Sequence, residues 1–191
     1  MPFVCRQGAR AFLIVAATAI IPSAVSAQSA TVTLLGYRAE VPSGWTSRAP
    51  SSTMRLAEYV VPATADGSAE VVVFFFGPAQ GGNVDANLAR WRGQFSNPDG
   101  APVTQIVTRD SSGTFPLTFA EYRGTYRRGI GAGSADSVRT GQELIAAIVE
   151  TPRGTLFIQM FGPVARVAAE HDTFLRFVKG IRSSPPPSSS Q

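Results

Sequence analysis

Cysteine, histidine and lysine are nearly absent from this sequence, which has one cysteine, one histidine and a single lysine, Lys179. The cysteine, Cys5, precedes an apolar N-terminal stretch, so removal of that stretch would leave a chain without disulfides. Stability must then come from a hydrophobic core, and about 155 residues are enough to build one. One histidine without cysteine excludes the usual zinc sites, and we expect neither a metal nor a cofactor.

Residues 1–27 have the features of a cleavable secretory signal peptide. Arg6 and Arg10 provide positive charge ahead of residues 11–21, which are apolar and uncharged. Val25-Ser26-Ala27 then offers the small residues that a signal peptidase recognises. A membrane-spanning helix needs roughly 20 apolar residues, so no stable membrane anchor is expected after cleavage. The sequence thus predicts an exported protein, periplasmic or extracellular; the alternative is a buried N-terminal helix.

The charge balance gives no reason to expect nucleic-acid binding. Two arginines leave with the signal peptide, so 15 of the 17 basic residues remain against 13 acidic ones. A nucleic-acid-binding domain would normally be far more basic on one face. The C-terminal segment Ser183–Gln191 (SSPPPSSSQ) has nothing that could be buried and is predicted to be disordered. Residues 28–182 are therefore predicted to form a single domain.

Strand signals dominate this domain. Three runs are apolar almost throughout, 70–76, 144–149 and 156–161, which predicts strands in the middle of a sheet covered on both faces. The last two are joined by Thr151–Gly154 and favour a hairpin. Further strands are predicted at Thr31–Tyr37 with its continuation Arg38–Val41, at Met54–Val61 up to Pro62, and, nearer an edge, at Thr104–Thr108 and Phe119–Arg127.

Two segments have helical periodicity. Val84, Leu88, Trp91 and Phe95 form one apolar stripe after a glycine-rich loop. A second helix is predicted to begin at Pro163 and to end near Gly180. Its stripe is Val164, Val167, Ala168, His171, Phe174, Leu175, Val178 and Ile181. Two amphipathic helices and several doubly buried strands predict an α+β fold, a three-layer α/β/α sandwich around a mainly antiparallel sheet with helices on both faces.

Several short motifs are spread over most of the domain. They are Val41–Trp45 (VPSGW), Met54–Tyr59, Phe76–Pro78, Gly81-Gly82, Asn87, Arg90–Phe95, Gly124–Tyr126, Ala146–Pro152 and Phe161–Pro163. Together they resemble a group of exported bacterial proteins of unknown function. That group is similar in fold to the PsbP/Mog1 superfamily, which implies the same α/β/α sandwich around an antiparallel sheet. The resemblance implies no established enzymatic activity and no catalytic residues, and better-known members of the superfamily act as adaptors or accessory subunits.

The glycine-rich loop Gly77–Asn83 leads from a predicted strand into the first helix. Free backbone N–H groups and the helix dipole could hold an anion there, although the loop lacks the lysine and hydroxyl of a P-loop. The alternative is a tight connection that needs positive φ angles. The candidate ligand or partner surface consists of Gly81, Gly82, Asn83, Asn87, Arg90 and Gln94.

Asn87, Arg90 and Gln94 follow one another at helical spacing, which would make a polar ridge able to grip a carboxylate or a partner's backbone. The alternatives are a solvated face, or side chains that hydrogen-bond the neighbouring loops. His171, in contrast, lies within the apolar stripe of the second helix and is expected to be packed or at a boundary. Asp172 is expected to point to a different face of that helix.

No catalytic motif accompanies these residues, and the carboxylates are scattered among the predicted strands, where adjacent strands could pair two of them. We therefore expect an exported, non-enzymatic binding or accessory module. It would act in the cell envelope through a protein partner or a small ligand. The alternative is a small extracytoplasmic hydrolase or transferase whose site assembles only in the fold, with His171 as its best anchor.

Overall fold

The computed structural model describes residues 30–127 and 138–183, which form eleven strands and two helices. The predicted signal peptide and residues 184–191 of the predicted tail lie outside the described residues. In chain order the elements are β1 (Ala30–Leu34), β2 (Tyr37–Val41), β3 (Thr46–Arg48), β4 (Arg55–Thr64), β5 (Gly67–Phe74), α1 (Val84–Arg92), β6 (Phe95–Ser96), β7 (Thr104–Asp110), β8 (Leu117–Arg127), β9 (Val138–Thr151), β10 (Gly154–Pro163), α2 (Val164–Lys179) and β11 (Arg182–Ser183).

Eight of these strands form an antiparallel sheet in the order β3-β4-β5-β10-β9-β8-β6, with β7 paired to β8 beside β6. The three continuously apolar runs occupy β5, β10 and β9, the central strands, as the sequence predicts. Strands β9 and β10 form the predicted hairpin, in which Thr151 pairs with Gly154. The fold is thus mainly an antiparallel sheet accompanied by two helices, and no helix of the described residues is long and apolar enough to cross a membrane.

Alternate residues of β9 belong to two different hydrophobic clusters. Ile145, Ala147 and Val149 pack with the buried side chains of α2, among them Phe174 and Phe177. Leu144, Ala146 and Ile148 pack instead with α1 and with Phe95 just after it. The two helices thus pack with alternate side chains of β9.

The predicted strand Thr31–Val41 is wrong as a single element. It is a hairpin of β1 and β2 that turns at Leu35 and Gly36, both of which have positive φ angles (52° and 80°). Such a turn suits the right-handed twist of the flanking strands. Strand β11 pairs with the other edge of β2, where Ser183 lies opposite Tyr37, which completes a small second sheet in the order β1-β2-β11.

The prediction that Pro62 ends the preceding strand is also wrong. Strand β4 continues to Thr64, and the register with β5 shifts between Val61 and Thr64. Pro62 is exposed, and the pairing of β4 with β3 reaches only Val60. A proline is tolerated at such a position because its missing N–H removes no ladder hydrogen bond.

Helix α2 begins and ends close to the predicted residues, but the prediction that Gln94 and Phe95 lie on the first helix is wrong, because α1 ends at Arg92 with Gly93 as its cap and Phe95 belongs to β6. Asn83 caps α1, whose buried residues include Leu88 and Trp91. Pro163 precedes the first turn of α2, and the N–H of Gly180 bonds to the carbonyl of Arg176 at its end. The buried face of α2 differs from the predicted stripe at two positions. Phe177, which is not in the predicted stripe, is buried, and Ala168, which is in it, is exposed.

Candidate functional site

The glycine-rich loop between β5 and α1 needs its glycines for conformation and for packing. Gly81 has a φ angle of 93°, and a Cβ atom there would lie 2.6 Å from a ring carbon of Phe157. Gly82 also has a positive φ angle, 81°. An L-residue is strained in this region, and the ring of Phe157 belongs to the buried core. The loop geometry is therefore accounted for by the fold itself.

Asn83 and Asn87 hold this loop on the helix. The side-chain oxygen of Asn83 accepts a hydrogen bond of 2.8 Å from the N–H of Ala86. Asn87 is 1% exposed, and its Nδ2 donates to the carbonyl oxygens of Gly81 (2.8 Å) and Asn83 (2.9 Å). Its side-chain oxygen accepts from Arg90. The polar atoms of the Asn87 side chain are thus bonded within the protein.

Of the predicted ridge, Arg90 is exposed although its guanidinium donates to Asn87, and Gln94, which follows the end of α1, is half-buried. The backbone carbonyl of Gln94 also accepts a hydrogen bond of 2.7 Å from the N–H of Arg127, which fixes the end of α1 on β8. The structure thus brings the six candidate residues together at one corner of the sheet. Their role in ligand or partner binding stays a prediction.

A second polar site lies where α2 crosses β8 and β9, and we call it the His171 pocket. It is a cavity of about 350 Å³ lined by Glu121, Arg123, Ala168, Ala169, His171 and Asp172. His171 contacts a carboxylate through each ring nitrogen: Nε2 lies 3.1 Å from Glu121 Oε1, and Nδ1 lies 3.1 Å from Asp172 Oδ1. Asp172 is 84% exposed against 33% for His171, in keeping with the prediction that it points to a different face of the helix, although its carboxylate still reaches the ring.

Glu143 lies behind the pocket and is completely buried. It is the direct cross-strand partner of Arg123, whose Nε donates to Glu143 Oε1 at 2.7 Å. The other oxygen, Oε2, has no hydrogen-bond partner within residues 30–127 and 138–183. Burial raises the pKa of Glu143, and the hydrogen bond from Arg123 offsets only part of that rise.

The pKa of His171 is raised, whereas burial alone would lower it. Desolvation lowers it, but the hydrogen bonds to Asp172 and Glu121 outweigh this effect, so the pKa is raised above 6.5. The imidazolium is thus favoured by the two carboxylates. Among the described residues, no three His, Asp or Glu side chains are placed to hold a metal ion.

The sequence does not reveal this pocket as a unit. Glu121 and His171 are 50 residues apart, and the cross-strand pair Arg123–Glu143 depends on the register of β8 with β9. The general expectation that adjacent strands could bring two carboxylates together is confirmed, since Glu121 and Glu143 both flank Arg123. His171 itself is 33% exposed, which makes it a boundary residue rather than a core one.

A third polar cluster lies at the far edge of the sheet. Glu58 is completely buried and accepts hydrogen bonds from Arg48, Arg55 and the hydroxyl and backbone N–H of Ser51. Both arginines also approach Glu70 on β5. Burial alone would raise the pKa of Glu58, but these hydrogen bonds lower it to about 2. The bonded oxygens and the ion pairs make this a structural clamp between β3, β4 and β5.

A groove of about 500 Å³ lies on the other flank of α2, beside the turn Pro42–Trp45. Trp45 is buried, and its Nε1 donates to Glu170 Oε2 at 3.1 Å. Arg182 closes one side of the groove with an ion pair of 2.9 Å to Glu40. The lining residues are Glu40, Val41, Pro42, Ser43, Gly44, Trp45, Glu170, Thr173, Arg176, Phe177, Gly180 and Arg182.

Comparison with family models and with curated proteins finds no match. Among solved structures, the chain is similar to the protein of unknown function PA94 from Pseudomonas aeruginosa, with 13% identity, a TM-score of 0.46, and coverage of 83% of this chain and 99% of that one. It is similar also to CyanoP, the cyanobacterial PsbP of Synechocystis sp. PCC 6803, with 13% identity, a TM-score of 0.47, and coverage of 87% and 99%. Neither likeness says what this chain binds.

Proposed function

We propose that this chain is an exported, non-enzymatic binding or accessory module that acts in the cell envelope through a protein partner or a small ligand. Its fold is proposed to be a three-layer, PsbP/Mog1-like α/β/α sandwich. The packing of α1 and α2 against alternate residues of β9 supports this layering. Fold alone carries no function, so the functional part of the proposal rests on the site.

One observation carries the binding role: both ring nitrogens of His171 face carboxylates of the same chain. A general base must offer a free nitrogen to the proton it removes, and its pKa should lie near the working pH. Desolvation lowers the pKa of His171, but the hydrogen bonds to Asp172 and Glu121 outweigh it and raise the pKa above its usual value, which is a shift toward the protonated ring. The described lining of the pocket also contains no hydroxyl or thiol that could serve as a nucleophile.

Two open polar cavities flank α2, and a bound molecule could use either. The His171 pocket combines two carboxylates with an imidazole and an arginine. The groove beside Trp45 combines Glu40 and Glu170 with Arg176 and Arg182. Mixed charge and moderate size suit a zwitterionic small molecule or a polar segment of a partner protein better than a large apolar ligand.

Thermal unfolding with a panel of metabolites and anions tests the small-ligand branch. A ligand present at 100 times its dissociation constant adds about 2.7 kcal/mol, which raises the unfolding temperature by roughly 5–10 °C in a domain of this size. The variants Arg90→Ala and His171→Gln locate the site, because a shift lost in one and kept in the other assigns the ligand to the loop–helix ridge or to the His171 pocket. If no compound raises the unfolding temperature, a protein partner is favoured over a small ligand.

One observation favours the alternative, a small hydrolase or transferase: folding brings His171 within 3.1 Å of Glu121, 50 residues away in sequence. An unbiased hydrolase screen decides between the two. Steady turnover that disappears in His171→Gln would overturn the binding role in favour of catalysis. Equal activity in both proteins would mean that the turnover does not use His171, which removes the best anchor of the catalytic alternative.

Export is tested separately by the intact mass of the protein recovered from the periplasm or the medium. Cleavage after Ala27 removes residues 1–27, so the mass should equal that of residues 28–191. The variant Ala27→Pro is the control, because a proline in place of the small residue at the cleavage position should leave the precursor uncleaved. Recovery of the unprocessed wild-type chain in the cytoplasm would contradict export.

A further inference from the structure

We propose that the protein pairs with a second copy of itself through strand β7, so that the two sheets join into one continuous antiparallel sheet. This proposal goes beyond the binding role described above and does not depend on it. It concerns a surface on the opposite side of β8 from β9, and it rests on the exposed edge of β7 and on the order of its side chains.

Strand β7 is an edge strand of seven residues. Within residues 30–127 and 138–183 it pairs only with β8, from Thr104 opposite Arg123 to Asp110 opposite Leu117. No other backbone hydrogen bond joins it to the described part of the chain. The backbone groups on its outer edge are therefore available to another strand.

Natural edge strands are usually protected by lysine, proline, a bulge or very short length. The opposite edge of the large sheet is protected in this way, because β3 has only three residues and includes Arg48. In β7 the run Thr104–Thr108 (TQIVT) contains no charge, no proline and no glycine. Ile106, near its centre, is 49% exposed, one of three large apolar side chains so exposed in the described residues.

A second copy fits this edge because the sequence of β7 is compatible with itself. A two-fold axis at Val107 is the arrangement that pairs all seven residues, and it places Thr104 opposite Asp110, Gln105 opposite Arg109 and Ile106 opposite Thr108. No two like charges face each other, and each charged side chain meets a polar one. Two-fold dimers use the same patch on both copies, which is the geometry that such self-pairing requires.

The charges near β7 are already neutralised within each copy. Lys179 of α2 lies 2.8 Å from Asp110, and Asp85 of α1 lies 3.7 Å from Arg109. Glu121, the neighbour of Ile106 on β8, contacts His171. In the joined sheet, no unpaired charge of one copy would therefore lie against a like charge of the other copy.

Gln105 offers a test of both the partner and the register. Gln105→Glu places a carboxylate opposite Arg109 of the second copy, twice by symmetry, and Gln105→Arg places like charges there. Cross-strand charge pairs contribute about 0.2–1 kcal/mol each, so with two symmetric pairs the dimer dissociation constant should fall about twofold to thirtyfold in the first variant and rise by a similar factor in the second. Sedimentation over a concentration series measures both, with circular dichroism to check the fold.

Ile106→Arg removes an apolar contact in each copy and should shift the protein to monomer. Met54→Arg is the matched control, because Met54 is equally exposed (50%) and lies before β4, away from β7. The proposal is supported if Ile106→Arg dissociates the dimer and Met54→Arg does not. A wild-type protein that stays monomeric up to the highest concentration overturns it, as does a dimer that is insensitive to all substitutions in β7.

Discussion

His171 Nε2 lies 3.1 Å from Glu121 Oε1, so the only histidine of the chain ties helix α2 to strand β8. The second ring nitrogen faces Asp172 on the same helix. Arg123 and Glu143 lie directly behind this contact. The charge state of one imidazole therefore affects how firmly α2 is held on the sheet, which makes stability depend on pH.

We expect His171→Gln to flatten part of the pH dependence of unfolding. The pKa of His171 in the folded protein is raised above 6.5, so its stabilising contribution is complete below that value and is lost as the pH rises through the folded-state pKa. Both partners are partly exposed, which limits the effect to about 1 kcal/mol. Urea unfolding of both proteins at a series of pH values measures it.

The difference between wild type and His171→Gln should shrink toward high pH. The pKa of buried Glu143 is also raised, so its contribution falls in the same direction and must be separated with Glu143→Gln. Parallel pH profiles of wild type and His171→Gln would show that the ion pair with Glu121 contributes nothing to stability.

Glu58→Gln should destabilise the protein far more than Glu70→Gln, although the two carboxylates share Arg48 and Arg55. Glu58 is completely buried and accepts charged hydrogen bonds, which contribute about 1.5–3 kcal/mol each, whereas Glu70 is 41% exposed and should contribute less than about 1 kcal/mol. Denaturant unfolding at neutral pH compares the two variants. Equal losses would contradict a clamp centred on Glu58.

The same carboxyl determines stability in acid. The pKa of Glu58 is about 2 in the folded protein against 4.5 for a glutamate without partners, so its contribution is complete above about pH 4.5 and is lost as the pH falls toward 2. Acid unfolding followed by circular dichroism should begin at higher pH in Glu58→Gln than in wild type. An unchanged acid transition would assign acid sensitivity to other groups, such as Asp110, whose pKa is also lowered, first by its hydrogen bond from Lys179.

Much of the fold could be predicted because its signals are local. Apolar runs without polar interruptions identified the central strands, and Pro163 and Gly180 marked the ends of α2. The errors have local causes as well. The turn at Leu35 and Gly36 lacks the usual Asn-Gly or Asp-Gly pair, and Pro62 could be tolerated only because β3 does not extend to it.

The candidate site was less predictable because its contacts depend on register. If β8 slipped by one residue against β9, the side chains of Arg123 and Glu143 would lie on opposite faces of the sheet and could not pair. The approach of His171 to Glu121 depends in addition on how α2 crosses the sheet. Helical spacing in α1, in contrast, correctly grouped Asn87 with Arg90, but it could not show that Asn87 faces inward to the loop.

Gly81→Ala should destabilise the protein by about 2–4 kcal/mol, because the new Cβ atom adds strain at a positive φ angle and overlaps Phe157. Gly44→Ala is the matched control. A Cβ atom at Gly44 has no neighbour within 4 Å, so the change should stay within about 0.5 kcal/mol. Thermal unfolding of both variants measures the difference. A neutral Gly81→Ala would show that the loop can rearrange, and that its glycines serve something other than packing.

Asn87→Ala and Arg90→Ala separate structure from binding on the predicted ridge. Asn87 is buried, and its loss removes the side-chain hydrogen bond to the carbonyl oxygen of Gly81, whereas the carbonyl of Asn83 keeps its bond from the backbone N–H of residue 87; the change should cost about 1–3 kcal/mol. Arg90 is exposed, but it donates to the buried side-chain oxygen of Asn87, so its removal should cost about 1 kcal/mol. If the ridge binds a ligand, Arg90→Ala should also weaken binding, which is measured as the ligand-induced shift relative to the variant's own unfolding temperature without ligand. A ligand-induced shift that survives in Arg90→Ala would move the binding site away from α1, to one of the two cavities that flank α2.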